Sequence, residues 1–162
     1  MVHRDKWIIG IGLIFGLAMF IQVSQAETPF AFTYCGSSTN TMVSASKEMT
    51  IFSMDGKGIV FSNHANKVFD NFTYHFVGIV RVMDGKRTGI GYTKYMDPDG
   101  DIIFQEFTMD GMESSISLLQ GTGKWKGITG TGKSMPLTRG KPITPDTSQS
   151  CRRITGTYEL KK

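Results

Sequence analysis

Four groups of residues in this chain have the types and spacing to do chemistry. The first, Gly127-Ile128-Thr129-Gly130-Thr131-Gly132-Lys133-Ser134, has the Walker A spacing of a loop that cradles nucleotide phosphates. That chemistry needs a buried parallel strand before the loop and a helix after it, whose first-turn amides hold the anion. Here Lys124, Trp125 and Lys126 precede the loop, while Pro136 and Gly140 follow it and leave no stable helix. No nucleotide is expected. The second group, Asp97, Asp99 and Asp101 with Glu106 beyond, alternates carboxylates as a calcium loop does. Its glycine stands fourth rather than sixth and its flanks read as strands, so an exposed acidic hairpin turn is expected and no metal site. The third group is His75, Glu106, Tyr92 and Tyr95, the candidates for acid–base work. His75 alternates with aromatic residues, which makes it a candidate to face a cavity, although a lone strand histidine is more often a hydrogen-bonded packing residue.

The fourth group is the pair Cys35 and Cys151, and their meaning depends on compartment. Arg4 and Lys6 give a positive start, the stretch from Trp7 to Val23 carries no charge, and Ser24-Gln25-Ala26 offers small residues at a cleavage site. Residues 1–26 therefore read as a signal peptide, cut between Ala26 and Glu27. The alternative is a retained membrane anchor, against which Gly10, Gly12 and Gly16 weigh. The mature domain, residues 27–162, is expected to be periplasmic or secreted, with no membrane association after cleavage. In an oxidising compartment an even pair of cysteines is more often bridged than free. A Cys35–Cys151 bridge would close a loop spanning most of the chain, worth about 4–5 kcal/mol in the chain-entropy model. Two buried thiols are the alternative.

The elements that must position these residues are strands. Ile154, Gly156, Tyr158 and Leu160 alternate with Arg153, Thr155, Thr157 and Glu159, and Phe72, Tyr74, Phe76, Gly78 and Val80 alternate with a second set that is also partly apolar. Asp55-Gly56 and Asp84-Gly85 read as hairpin turns, Asp99-Gly100 as a third, and residues 141–150 as a loop. These marks bound strand candidates near 29–35, 48–53, 57–62, 70–83, 87–96, 101–109, 113–120, 123–134 and 152–160. The fold class is all-β: a single antiparallel closed β-barrel of about eight strands, with a β-sandwich as the alternative. A bridge between the first and last strands favours the barrel.

The stretch Gly121-Thr122-Gly123-Lys124-Trp125-Lys126-Gly127-Ile128-Thr129-Gly130, with the Ser115–Leu119 strand before it, resembles a segment of the allene oxide cyclase and dirigent barrels. The resemblance implies an eight-stranded antiparallel barrel, commonly a homo-oligomer, with an apolar cavity. The segment is architectural in those proteins. Gln120 stands where they usually carry another glycine, and no acid or arginine positions match that would bring their chemistry along.

The chain has 162 residues, a net charge of +4 and no dense basic block, which argues against nucleic acid as a partner. No cofactor is expected. Three readings stay open: a barrel that binds a small apolar or aromatic ligand, an interaction or structural domain with a filled barrel, and a cyclase- or isomerase-like enzyme. They stand in that order. A cavity separates the first and third from the second.

Overall fold

The computed structural model describes residues 26–161. The expected leader lies outside the described residues except for Ala26, which with Glu27 is exposed ahead of the first strand.

Eight strands follow in chain order: β1 (Thr28–Ala45), β2 (Met49–Ser62), β3 (Thr73–Met83), β4 (Lys86–Met96), β5 (Ile102–Asp110), β6 (Glu113–Gly121), β7 (Ile128–Arg139) and β8 (Thr147–Leu160). Each pairs antiparallel with the next, and β1 closes on β8, so the sheet is a closed up-and-down barrel. Closure leaves no unpaired edge. It also removes the sandwich alternative, in which two open sheets would face each other.

Cys35 and Cys151 stand directly opposite each other at the β1–β8 seam and are bridged, with Cα atoms 4.1 Å apart and a separation of 116 in sequence. Their neighbours Tyr34 and Arg152 point into the barrel. By strand alternation the bridge therefore lies on the outer face and locks the first strand to the last.

Several strand readings need correction. The loop expected over 141–150 ends where β8 begins at Thr147, and the strand expected near 29–35 runs on to Ala45, because pairing with β2 and β8 extends both past their apolar stretches. Asp55-Gly56 is not a turn but the middle of β2, so the candidates near 48–53 and 57–62 form one strand. The Phe76 side chain of β3 lies against Gly56 where a Cβ would project, so glycine serves a close approach there rather than a reversal. The candidate near 123–134 begins as a 3-10 turn at Gly123–Trp125, and the strand starts only at Ile128. Gly123 has φ +50 and its Cβ position is filled by the Asp101 carboxylate, so the chain must reverse before β7 can start. Asp84-Gly85 is a hairpin turn as expected, with both residues at positive φ.

The core is concentrated at one end of the barrel. The segment connecting β2 to β3 folds back under the strand ends and inserts Phe69 and Phe72 among Phe30, Phe32, Trp125 and Tyr158. Phe69 stacks on Trp125 with ring centroids 5.5 Å apart and meets Phe30 edge-on at 5.1 Å. Its backbone sits at φ 64, a left-handed conformation that costs a bulky residue about 1–3 kcal/mol and persists because the surrounding rings fix the side chain.

Candidate functional site

The other end of the barrel is open. Its interior holds a cavity of about 580 Å³. Strand alternation decides what lines it: even positions of β1 to β3, odd positions of β4 and β5, and even positions of β6 and β8 turn inward. β7 follows the even pattern as far as Pro136. A bulge between Pro136 and Thr138 then shifts the register, which brings Arg139 opposite the inward-facing Ser150.

Nearest the closed end the cavity has a floor of tyrosines. Tyr34 and Tyr74 meet edge-on at 5.1 Å, and Tyr74 lies 6.3 Å from Tyr95. The Tyr95 hydroxyl donates to Gln105 Oε1 at 3.2 Å. Burial raises all three phenols above the ordinary tyrosine range, so they remain protonated near neutral pH. Above the floor the walls are divided: Phe52, Met54, Phe76 and Phe107 make an apolar side, whereas Ser38 and Asn40 of β1 with Ser148 and Ser150 of β8 make a polar one. Gly78 and Gly91 lie opposite each other beneath the Phe107 ring, which packs against the wall where their side chains would project.

Arginines stand at the rim. Arg87 is the second residue of β4 and Arg139 the last of β7. Arg152 reaches across from β8, its Nε donating to Ser134 Oγ at 2.9 Å and its Nη2 to the Met112 carbonyl at 2.9 Å and the Ser134 carbonyl at 3.0 Å. Arg87 lies over the Phe52 ring at 5.7 Å.

The four acid–base candidates are not brought together. Tyr95 alone faces inward. His75 is on the outer surface, where its Nε2 is 3.0 Å from Asp55 Oδ1 of the neighbouring strand. Tyr92 and Glu106 face each other across β4 and β5, also outside, and a hydrogen bond to Glu106 raises the Tyr92 phenol. His75 shares its strand with Tyr74 and Phe76 but alternates with them, which puts it on the opposite face.

The aspartates do something other than line an exposed turn. Asp99 is exposed, but Asp97 is buried. Its Oδ1 accepts the amides of Asp99 and Asp101, each at 2.9 Å, and its Oδ2 accepts the Trp125 indole N–H at 2.9 Å and lies 2.8 Å from Lys124 Nζ. Burial pushes the Asp97 carboxyl up, but the hydrogen bonds from Lys124, Trp125 and the two amides outweigh it and hold the group at about 2. The Asp101 carboxylate accepts the Lys124 amide. The cluster thus ties the β4–β5 turn to the 3-10 turn and fastens Trp125 in the closed end. Among the described residues no group of three or more His, Cys, Asp or Glu side chains is arranged to hold a metal ion.

The nucleotide-like stretch is an antiparallel strand. Gly130 and Gly132 pair with Tyr158 and Gly156 of β8, and Ser134 turns inward to meet Arg152. No helix follows to present amides to a phosphate.

Sequence reasoning overlooked the arginines. A signal for Arg152 was present: the alternation Ile154, Gly156, Tyr158 extended back two positions places it on the inner face. Arg87 likewise shares parity with Tyr95. Arg139 was hidden by the bulge.

No family model matches the chain, and no curated protein matches it in sequence. Among solved structures it is similar to the pterocarpan synthase dirigent protein, at 11% sequence identity and a TM-score of 0.49, over 85% of this chain and 88% of that one.

Proposed function

We propose that this protein is an exported binding barrel that holds a small apolar or aromatic molecule in its open half. The observation that carries the reading is the cavity of about 580 Å³, walled on one side by aromatic and aliphatic side chains and on the other by hydroxyl, amide and guanidinium groups. That is the size of small-molecule sites in general. The unfilled interior favours this reading over an interaction domain with a packed barrel. The scatter of His75, Tyr92 and Glu106 over the outer surface, with only Tyr95 inside, favours binding over acid–base catalysis. Export is supported by the leader-like residues 1–26 and by the Cys35–Cys151 bridge. Among the described residues no helix is long and apolar enough to cross a membrane.

Native mass spectrometry of the protein purified from its own compartment tests the reading. A reproducible added mass that is lost on activation is the expected result, and the same spectrum counts subunits and so tests the expected homo-oligomer. Bare protein that also fails to enhance the fluorescence of an apolar dye would overturn it.

A further inference from the structure

The open half of the barrel carries more positive charge than a site for a neutral molecule needs. Arg87, Arg139 and Arg152 all line it, and Asp146 is the one carboxylate among the lining residues. No ion pair within 4.0 Å joins any of the three guanidiniums to a carboxylate among the described residues. Arg87 Nε is buried without a hydrogen-bond acceptor. Burial, and then the charges of Arg139 and Arg152, push the Arg87 guanidinium below its ordinary value, as expected where cations are packed together uncompensated. A buried donor left unpaired is costly, and an oxyanion would relieve both the missing acceptor and the crowded charge.

Three positive charges against one negative leave a surplus of two. Resting on the binding reading above, we propose that the ligand is a small organic dianion. It is a phosphate monoester whose head sits at the rim against Arg87, Arg139 and Arg152, with an apolar or aromatic body between Phe52 and Phe107. Guanidinium forks match phosphate oxygens two at a time, which Arg87 and Arg139 can offer, whereas Arg152 already donates Nε and Nη2 within the protein and contributes its charge. The apolar walls below exclude water and strengthen that attraction. A single carboxylate would leave half of the surplus standing, and a neutral alcohol would leave all of it.

The test uses three probes with one common body: naphthyl phosphate, naphthoate and naphthol, titrated calorimetrically into the purified protein at about pH 8, where the phosphate ester is doubly charged. Naphthyl phosphate is expected to bind at least about tenfold more tightly than naphthoate, with naphthol weakest. The preference should shrink as salt is added. Equal affinity for the phosphate and the carboxylate overturns the dianionic head. Equal affinity for all three overturns any anionic head yet leaves the binding reading in place, and no binding of any probe overturns both. Arg87→Gln and Arg139→Gln are each expected to lose most of the preference of the phosphate over naphthol. Arg87→Lys, which keeps the charge without the fork, should fall between, and it serves if either glutamine variant fails to fold. Undiminished preference in all three variants overturns the assignment of these residues.

Discussion

The two ends of this barrel are built from the same eight strands and resolve the same problem in opposite ways. At the closed end, polar and charged groups are paired: the buried Asp97 carboxylate accepts bonds from two amides and an indole and pairs with the Lys124 ammonium. Around it, aromatic rings interlock through Phe69. At the open end a cavity remains. The two buried side-chain atoms without a partner among the described residues, Arg87 Nε and Gln149 Oε1, both belong to that half. The difference teaches that stability and unsatisfied charge are separated along the barrel axis. The paired closed end offsets the cost of an open end that keeps the Arg87 donor without an acceptor.

Breaking the closed end should therefore cost stability and leave the open end's selectivity intact. Phe69→Ala is expected to have the largest effect, about 3–5 kcal/mol in urea unfolding, because it empties the centre of the ring cluster. The naphthyl phosphate preference of the surviving folded fraction should be unchanged. Equal loss of stability and preference would join the two ends into one unit. Gly91→Ala comes next at about 1–3 kcal/mol, since the new methyl group meets the Val77 carbonyl and the Phe107 ring. Lying between the two ends, it should also alter ligand affinity, which calorimetry would register.

Asp97 sharpens the comparison through pH. Its folded pKa is held at about 2, below the unfolded value of about 3.9, so its contribution is complete above pH ~4 and is lost as the pH falls toward ~2. Asp97→Asn should remove that part of the acid sensitivity, so the gap in unfolding midpoint between variant and parent narrows from neutral pH to pH ~2. A constant gap would mean that the carboxylate's charge is irrelevant. The smallest stability effect is expected at the open end. Arg87→Gln should shift Tm by no more than about 2 °C, and upward if at all, because it removes an uncompensated charge. A large drop would show Arg87 to be part of the framework.

How much of this was readable beforehand varies from residue to residue. The bridge between Cys35 and Cys151, the closed barrel expected from it, and the Asp84-Gly85 hairpin all depend on local chemistry or on a covalent pairing with few alternatives. Asp97 reads as exposed because Asp, Pro and Gly are ordinary turn residues and the flanks read as strands. Its partners Lys124 and Trp125 arrive from a distant turn, and no local pattern reports them. His75 shows the limit of alternation. Both faces of β3 carry apolar residues, with Val77 and Ile79 outside and Tyr74 and Phe76 inside, so periodicity separates the two faces without saying which is inner. Arg139 was further hidden by the register shift of β7.

What the amino-acid order determined by itself was a set of strands, the hairpin chemistry between several of them and the one covalent tie that joins the first to the last. These follow from backbone preference, side-chain alternation and thiol chemistry, all properties of short stretches or of a single pair. Which face of each strand became the interior, which arginines came to share one rim, and which end filled with aromatic rings were decided only when the sheet closed. Closure sets every strand's orientation at once, and the resulting electrostatic and packing interactions act between side chains far apart along the chain.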